Sequence, residues 1–343
     1  MIGFFKGTVY IIAISTYNSN NFVTTRVATV SKYPEIDLQK VKTYSVRQRL
    51  SKVHRDELAK PFRRGDFFET FYHSLPNILA AKDFRELVER IIAARESDKP
   101  VIVMMGAHVI KVGLSPILVD LMRRGTITCL AMNGAGVIHD TELTLFGQTS
   151  EEVADGLADG SFGMAQETGE FINNAVITGR STQQGFGEAI GEALLNAGAE
   201  GLKHSLLATA FELSIPATVH VAIGTDIIHQ QPTADGAAYG ELSFRDFKIF
   251  TAQVAKINDG GVVLNIGSNV VMPEVFLKAL TIARNLQPPV KDFFTANFDM
   301  YAHYRPRVNV VQRPTLQGGK GYNFIGHHEI MMPLLAAAVK EFY

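Results

Sequence analysis

The sequence predicts an α/β fold in which a doubly wound, mainly parallel sheet has helices on both faces. Short apolar runs of strand length alternate with longer segments whose apolar residues recur at helical spacing. The segment Val101–Asp140 shows this alternation most clearly. It begins with the apolar run Val101–Met105, continues with a helical pattern opened by Ser115 and Pro116, and reaches a second apolar run. A strand–helix–strand unit of this kind is the building block of a parallel sheet.

Five or six strands are predicted from apolar runs bounded by turn residues. They are Val101–Met105, Ile127–Met132, Ala217–Ala222, Val262–Ile266, Asp292–Asn297 and, as the sixth candidate, Val308–Gln312. Helices are predicted where apolar residues recur every three or four positions. They are Leu79–Arg95, Ser115–Arg124, Thr141–Phe146, Glu151–Asp159, Ser161–Thr178, Glu188–Ala197, Ser205–Leu213, Phe244–Ile257, Glu274–Arg284 and Ile330–Phe342.

Domain organisation follows from the same pattern. Strands and helices alternate from residue 79 to residue 343, so this range is predicted as a single α/β domain. Residues 1–78 are predicted as a partly irregular N-terminal extension. Its first segment, Met1–Ser15, lacks a strongly basic start and is predicted as a strand or an extension rather than a signal peptide. The basic stretch Asp37–Arg64 is predicted as a surface helix plus a loop.

Composition narrows the function class. The 343 residues carry 33 Lys and Arg against 34 Asp and Glu, a net charge of −1. This balance predicts no nucleic-acid partner and no anionic membrane partner. No apolar run approaches the roughly 20 residues that a membrane helix requires. The single cysteine, Cys129, cannot form an internal disulfide and is predicted to be buried in a strand. These features favour a cytoplasmic protein.

Small polar turns follow four of the predicted strands. Parallel sheets collect ligand sites at the carboxyl ends of their strands, so we predict that these turns share one cofactor site. Glycine permits close backbone approach there, while Thr, Ser, Asn and Asp offer hydrogen bonds, although each turn alone is also ordinary turn chemistry. The standard G-x-G-x-x-G fingerprint is absent. The turn residues are Gly106, Ala107, His108, Asn133, Gly134, Ala135, Gly136, Thr225, Asp226, Gly267, Ser268 and Asn269.

Histidines and carboxylates in or after these turns are candidates for catalysis. His139, Asp140 and His229 are predicted as acid–base groups, because imidazole titrates near neutral pH. The same residue types could bind zinc or iron, and His108, His139 and His229 are the candidate ligands of a divalent metal. No recognised metal-ligand spacing such as H-E-x-x-H is present. Both interpretations stay open at this stage.

Taken together, several segments resemble deoxyhypusine synthase. They are Gly106–Asp140, Ile215–Asp226, Gly261–Gly267, the region from Thr295 to Pro306, and Gly326–Leu335, which occur in the same order as in that family. The resemblance implies a parallel, Rossmann-like sheet and a homotetramer with active sites at its subunit interfaces. It also implies an NAD cofactor, which in that family oxidises spermidine before an aminobutyl group is transferred through a lysine imine.

The resemblance assigns site residues by position. The turns at Gly106–His108 and Asn133–Gly136 and the glycine at 267 fall on cofactor-contacting positions of the family. His327 falls on a cofactor-binding aspartate, with His328 beside it. Lys320 is the lysine nearest to the position of the imine-forming lysine, with different spacing. It is therefore a candidate catalytic residue.

Departures from the family pattern concern the substrate half of the site. The paired acidic residues that hold the polyamine are replaced by Ile138-His139-Asp140, and the Trp-Gly-Lys motif is missing from a chain without tryptophan. Three functions are therefore expected as alternatives. The first is an NAD-binding enzyme that acts on an amine or another small substrate. The second is a metal-dependent hydrolase or deaminase, and the third is a homologue that only binds a ligand.

Overall fold

The structure, a computed structural model, describes residues 33–286 and 289–343. The chain divides into two units, Met1–Val53 and His54–Tyr343. The described part of the first unit contains two short 3-10 turns, Leu38–Lys40 and Val46–Gln48, and its residues are exposed. The predictions for Met1–Ser15 fall outside the described residues. The domain boundary at residue 79 stays a prediction.

The second unit contains a six-stranded, entirely parallel sheet. Its strands are β1 (Val101–Met105), β2 (Cys129–Asn133), β3 (Ala217–His220), β4 (Val262–Ile266), β5 (Phe293–Asp299) and β6 (Gly319–Ile325). Their order in the sheet is β3-β2-β1-β4-β5-β6. The chain winds outward in one direction from β1 and then in the other, so the order reverses between β1 and β4. We call the carboxyl ends of these two strands the switch point, the place where doubly wound sheets form ligand crevices.

Helices cover both faces of the sheet, as predicted. They are α1 (Phe68–Ser74), α2 (Leu79–Glu96), α3 (His108–Lys111), α4 (Ser115–Arg123), α5 (Gly134–Phe146), α6 (Val153–Asp159), α7 (Gln166–Ser181), α8 (Phe186–Ala197), α9 (Leu206–Glu212), α10 (Gly236–Val254), α11 (Val271–Leu286), α12 (Tyr304–Pro306) and α13 (His328–Phe342). Alternate residues of β1 enter opposite cores. Ile102 and Met104 pack with α10 and α11, whereas Val103 and Met105 pack in the larger core with α2, α4 and α13.

Five predicted strands are confirmed, and the sixth was assigned to the wrong segment. Residues Arg307–Gln312 form a π-helical turn instead of a strand at Val308–Gln312. Tertiary contacts override the strand propensity of its β-branched residues. Val310 enters the core beside α11, and Asn309 donates to the Glu274 carboxylate at 2.9 Å. The true sixth strand, Gly319–Ile325, begins with glycines and buries only Tyr322 and Phe324.

Two other predictions also need correction. The residues Asn133–Gly136, expected to be a turn after β2, are the N-cap and first turn of α5, where the Asn133 side chain accepts the Gly136 N–H at 3.3 Å. Helix α5 therefore begins immediately after the strand, seven residues before the predicted start. In the basic stretch Asp37–Arg64 no α-helix forms, and its regular structure is limited to 3-10 turns.

Side chains of α10 seal the outer edge of β3. Asp246 Oδ2 accepts the Val219 N–H at 2.7 Å and also the Gly187 N–H at 3.0 Å, which lies at the start of α8. Ser243 accepts the Val221 N–H and donates to the Val219 carbonyl. Burial raises the pKa of the Asp246 carboxyl to about 7, against the lowering effect of the backbone N–H groups.

The buried Asp246 carboxyl predicts a pH-dependent stability. Its pKa rises from an ordinary 3.8 to about 7 on folding, so the folded state holds a proton that the unfolded state has lost between these pH values. The free energy of unfolding contributed by Asp246 therefore falls as pH rises from about 4 to about 7, on the order of 1 kcal/mol per pH unit. Urea titrations of wild type and Asp246→Asn across this range should show a flatter profile for the variant. Parallel profiles would contradict this prediction.

Candidate functional site

The switch point is built from two glycines whose backbones touch. The Gly106 N–H donates to the Ile266 carbonyl at 2.9 Å, and a Cβ on Gly106 would overlap the Gly267 carbonyl oxygen. Gly267 has a φ of +63°, which favours glycine, and the His328 ring packs directly against its Cα. Small residues at this point therefore allow β1 and β4 to end side by side.

His328 is the polar group beneath this junction. Its side chain is 1% exposed, and its Nε2 lies 3.2 Å from the Phe298 carbonyl oxygen. A carbonyl only accepts hydrogen bonds, so Nε2 carries the proton and, in the neutral ring, Nδ1 is left as an acceptor. Nδ1 is buried and has no hydrogen-bond partner. The His108 ring lies 6.0 Å away, centroid to centroid.

Five of the twelve buried side-chain polar atoms without a partner in the described residues lie at the carboxyl edge of the sheet. In native proteins such atoms are nearly always paired, so a cluster of unpaired ones indicates a place for a ligand or water. Asp299, for example, ends β5 with its Oδ2 atom unpartnered although its side chain is buried. The atoms at this edge are Asp226 Oδ2, His229 Nε2, Asn265 Oδ1, Asp299 Oδ2 and His328 Nδ1.

A pocket of about 210 Å³ lies at the same edge, beyond the ends of β2 and β3. We call it the carboxyl-edge pocket. Its walls come from α3, α5, the segment between α5 and α7, and the loop after β3. The polar residues that line it are Lys111, His139, Glu142, Ser150, Glu151, Thr225 and Asp226. The pocket therefore brings together the predicted residues His139, Thr225 and Asp226.

Asp226 is a carboxyl tuned toward neutral pH. Burial raises its pKa to about 6, against the lowering effect of the Ala135 N–H in the first turn of α5. Its Oδ2 is unpartnered and lies so close to Gly134 that a Cβ there would overlap it. A carboxyl with these properties can exchange a proton near neutral pH.

His139 is held in one tautomer by a chain of hydrogen bonds. Its Nδ1 lies 2.6 Å from Thr149 Oγ1, and that hydroxyl donates its only proton to Glu142 Oε2 at 2.5 Å. The hydroxyl must therefore accept from His139, which places the proton on Nδ1 and leaves Nε2 with a free lone pair. Burial lowers the pKa of His139, and the positive charge of Lys111 lowers it further. The negative charge of Glu142 raises this pKa, but by less than Lys111 lowers it. The ring is neutral and basic at Nε2.

His229 has the opposite tautomer. Its Nδ1 accepts the backbone N–H groups of Gly224 at 3.2 Å and Asp226 at 3.3 Å, so the proton lies on Nε2. Burial lowers the pKa of His229, which keeps the ring neutral. The ring packs edge-on against Tyr239, with centroids 4.8 Å apart. His229 therefore braces the Asp226 loop and presents a donor rather than a base.

The other predicted cofactor residues have mixed positions. Ser268 is buried, and its hydroxyl accepts the Met272 N–H at the start of α11. Thr225 donates to the Ala222 carbonyl within its own turn. His108, Asn269 and His327 are exposed at the carboxyl edge. The structure thus separates the predicted residues into those of the switch point and those of the carboxyl-edge pocket.

Asp140 does not face a ligand, contrary to its predicted catalytic role. Both of its carboxylate oxygens are occupied by the start of α9. Oδ1 accepts the Leu206 N–H at 2.8 Å, while Oδ2 accepts the Leu207 N–H at 3.0 Å and the Ser205 hydroxyl at 2.8 Å. The side chain is 1% exposed. We assign it a structural role as the cap of α9.

Lys320 also lies outside the site. It is the second residue of β6, at the amino end of the sheet. Its Nζ donates to Asp83 at 2.8 Å and to Glu86 at 2.7 Å. Burial alone would lower its pKa, but the two carboxylates more than offset this effect and raise it. Imine formation needs a neutral amine, so this lysine is unsuited to it. Its spacing from His327 already differed from the family pattern.

Lys320→Met is therefore expected to leave any turnover unchanged. Its ion pairs are partly exposed, and such pairs contribute about 1 kcal/mol or less to stability. Thermal unfolding and activity of the variant should both stay near wild type. A loss of activity without a loss of stability would restore the imine-forming role.

The metal interpretation finds no support in the described ranges. Within residues 33–286 and 289–343, no three His, Cys, Asp or Glu side chains are grouped as a metal site would require. The three predicted ligands make separate contacts: His108 with His328, His139 with Thr149, and His229 with Tyr239. The described residues therefore do not bring these three candidate ligands together.

Sequence reasoning missed the residues that orient His139. Glu142 lies one helical turn after it on α5, a spacing visible in the sequence, but Thr149 and Thr168 arrive from other segments. A second recess of about 470 Å³ adjoins the carboxyl-edge pocket and shares Glu142 and Glu151 with it. Its wall also includes Glu167. The recess beside His139 therefore carries three carboxylates, whereas Lys111 lines the carboxyl-edge pocket itself.

Comparisons with known proteins show the fold and no closer relation. No protein-family model and no curated protein matches the sequence. Unliganded AgrE aligns with a TM-score of 0.50 and 13% identity over 76% of this chain and 33% of AgrE. The complex of AgrE with ornithine and NAD⁺ gives 0.50 and 11% over the same shares. A candidate deoxyhypusine synthase from Entamoeba histolytica gives 0.49 and 10% over 83% of this chain and 96% of that one.

The chain spans about a third of the length of AgrE. None of the described helices is both long and apolar enough to cross a membrane.

Proposed function

We propose that this protein is a distant deoxyhypusine synthase-like enzyme that binds NAD and acts on a small amine, without performing the deoxyhypusine reaction itself. One observation carries the proposal. A sheet of order 3-2-1-4-5-6, the order typical of dinucleotide-binding folds, adjoins a pocket lined by a carboxyl with a pKa of about 6 and by a neutral histidine. Perturbed titratable groups beside a ligand crevice are typical of active sites.

The residues at the switch point suit a dinucleotide. Gly106 and Gly267 keep the junction free of side chains, which lets a ligand approach the backbone. His328 Nδ1 and Asp299 Oδ2 are buried acceptors without partners, and ribose hydroxyls are donors that would satisfy them. Ser268 and Asn269 would hold the cofactor from the β4 side. When bound, NAD supplies the hydride acceptor that no side chain provides.

The carboxylates of the recess beside His139 favour an amine as the substrate. Glu142, Glu151 and Glu167 line the recess beside the carboxyl-edge pocket, and carboxylates are the partners that an ammonium group requires. Glu142 is held in place by the Thr149 and Thr168 hydroxyls. These carboxylates come from different positions than those of the resembling family. This difference argues for a substrate other than spermidine.

The proton chemistry would rest on two residues. Oxidation of an amine carbon releases a proton from the nitrogen in addition to the hydride. Asp226, ionised above about pH 6, would accept the proton that the ammonium group must lose first. His139 Nε2 would accept the second proton, while Thr149 and Glu142 hold its ring. A homotetramer remains part of the proposal by resemblance, and a bound divalent metal does not.

Calorimetric titration of NAD into the dialysed full-length protein tests the cofactor half directly. We expect saturable binding that Asp299→Asn weakens and that Asp159→Asn, an exposed carboxyl, leaves unchanged. Asp299→Asn keeps the shape of the side chain and removes one acceptor. Absence of saturation up to about 1 mM NAD, a binding free energy of only about −4 kcal/mol, would refute the proposal. Binding without turnover on any amine would favour the ligand-binding alternative.

A further inference from the structure

A cavity of about 500 Å³ lies at the amino end of β3, at the opposite edge of the sheet from the carboxyl-edge pocket. We call it the amino-edge cavity. The first turn of α8, the end of α9, the segment leading into β3 and the middle of α10 form its walls. Volumes of this size are typical of small-molecule sites. The residues that line it are Gly187, Glu188, Ala210, Phe211, Ser214, Ile215, Pro216, Ala217, Asp246 and Ile249.

The wall combines apolar side chains with exposed Ser214 and Glu188 at its rim and with one buried carboxyl. Phe211, Ile215, Pro216 and Ile249 supply a partly buried apolar surface. Asp246 contributes a carboxyl that is 0% exposed. A single buried polar group in an apolar cavity fixes the orientation of a ligand, because it must be matched by one complementary group.

One carboxylate oxygen of Asp246 has no hydrogen-bond partner. Its Oδ2 accepts the Val219 and Gly187 N–H groups, whereas Oδ1 has no hydrogen-bond partner. No lysine, arginine or histidine of the described ranges forms an ion pair with it. The nearest charged side chain at the cavity, Glu188, is exposed and carries the same sign. Above about pH 7, where Asp246 is ionised, a buried carboxylate oxygen without a donor favours a cationic or strongly donating group.

We propose that the amino-edge cavity binds a small organic ammonium compound, with the ammonium group donating to Asp246 and an apolar body against Phe211, Ile215 and Ile249. This site is separate from the NAD and substrate site and does not depend on it, because the two lie at opposite ends of β3. A neutral compound of the same shape binds less well, since it cannot compensate the carboxylate. An anionic one is repelled by Asp246 and Glu188.

Methyl NMR of the full-length protein can locate such binding. Isoleucine δ1 methyls are labelled, and those of Ile215 and Ile249 are assigned with the variants Ile215→Val and Ile249→Val. Ile138 and Ile227, which line the carboxyl-edge pocket, serve as the internal comparison. Benzylamine is the probe, and benzyl alcohol and benzoate are its neutral and anionic counterparts. We expect benzylamine to shift Ile215 and Ile249 saturably, with an affinity at least about tenfold above that of benzyl alcohol.

Variants then test the carboxyl itself. Asp246→Asn keeps the size of the side chain and should lower the benzylamine affinity by about tenfold or more. Glu212→Gln removes a negative charge from the end of α9 without touching the cavity, and its affinity should stay at the wild-type value.

The outcomes divide cleanly. Three results would each overturn the proposal: equal affinities for benzylamine and benzyl alcohol, shifts confined to Ile138 and Ile227, or a benzylamine affinity of Asp246→Asn equal to that of wild type. If Asp246→Asn does not fold, the comparison of the three probes on wild type still decides it.

Discussion

Replacing Asp140 by alanine is expected to lower the free energy of unfolding by about 3 kcal/mol or more. The carboxylate accepts three hydrogen bonds from the buried start of α9, so its removal leaves the Ser205 hydroxyl and two backbone N–H groups without an acceptor. Burial also raises the pKa of Asp140. The cost of removing its charge from water therefore offsets part of the free energy that the three hydrogen bonds contribute. Chemical denaturation followed by circular dichroism measures the loss.

The matched control is Asp120→Ala. Asp120 lies on α4 and pairs with Lys340 and Arg124, and its side chain is 40% exposed. Such a pair contributes about 1 kcal/mol or less. If Asp140→Ala instead keeps wild-type stability and loses only turnover, Asp140 is a catalytic group and our structural assignment is wrong.

His139→Ala is expected to reduce amine-dependent reduction of NAD by about 100-fold or more, the usual contribution of a general base. The Nε2 lone pair disappears, while α5 keeps its other contacts. Glu142→Gln should reduce the rate less, because the amide still accepts from Thr149 but no longer favours the imidazolium that forms. Absorbance of NADH over a panel of small amines provides the assay.

The pH profile gives an independent check on the same pocket. Asp226 must be ionised to accept a proton, and its pKa is about 6, so the rate should fall about tenfold per pH unit below that value. Asp226→Asn should abolish this limb. His204→Ala, which replaces an exposed histidine outside the pocket, serves as the control.

For the His139 prediction, a wild-type rate in His139→Ala would show that His139 takes no part in the reaction.

The sheet was predictable because its central strands are buried on both faces. β1 and β4 read as uninterrupted apolar runs, Val101–Met105 and Val262–Ile266, and their bounds were predicted to the residue. β6 is an edge strand with only Tyr322 and Phe324 buried, so its sequence carries no such run. The π-helical turn at Arg307–Gln312 misled for the opposite reason, since its valines are typical of strands.

The sequence predicted which edge of the sheet carries the candidate site, but not the hydrogen-bond partners of its side chains. Residues following buried strands, such as Gly106 and Asp226, could be placed at one edge from topology alone. The roles of His139 and Asp140, adjacent in sequence, depend on helix phase, which directs His139 toward Thr149 and Asp140 toward Ser205. Only long-range contacts reveal such differences, and a local motif does not contain them.

The strand order also dictates when the switch point can form. β1, β2 and β3 are neighbours and are contained in residues 101–220, so this half of the sheet can assemble while the ribosome is still making the rest. The Gly106 N–H must wait for the Ile266 carbonyl, about 160 residues later, to close the junction. Closing so long a loop is slow compared with local pairing. Ligand binding at the switch point would therefore report the completion of synthesis and folding, and partly made chains would be unable to capture cofactor.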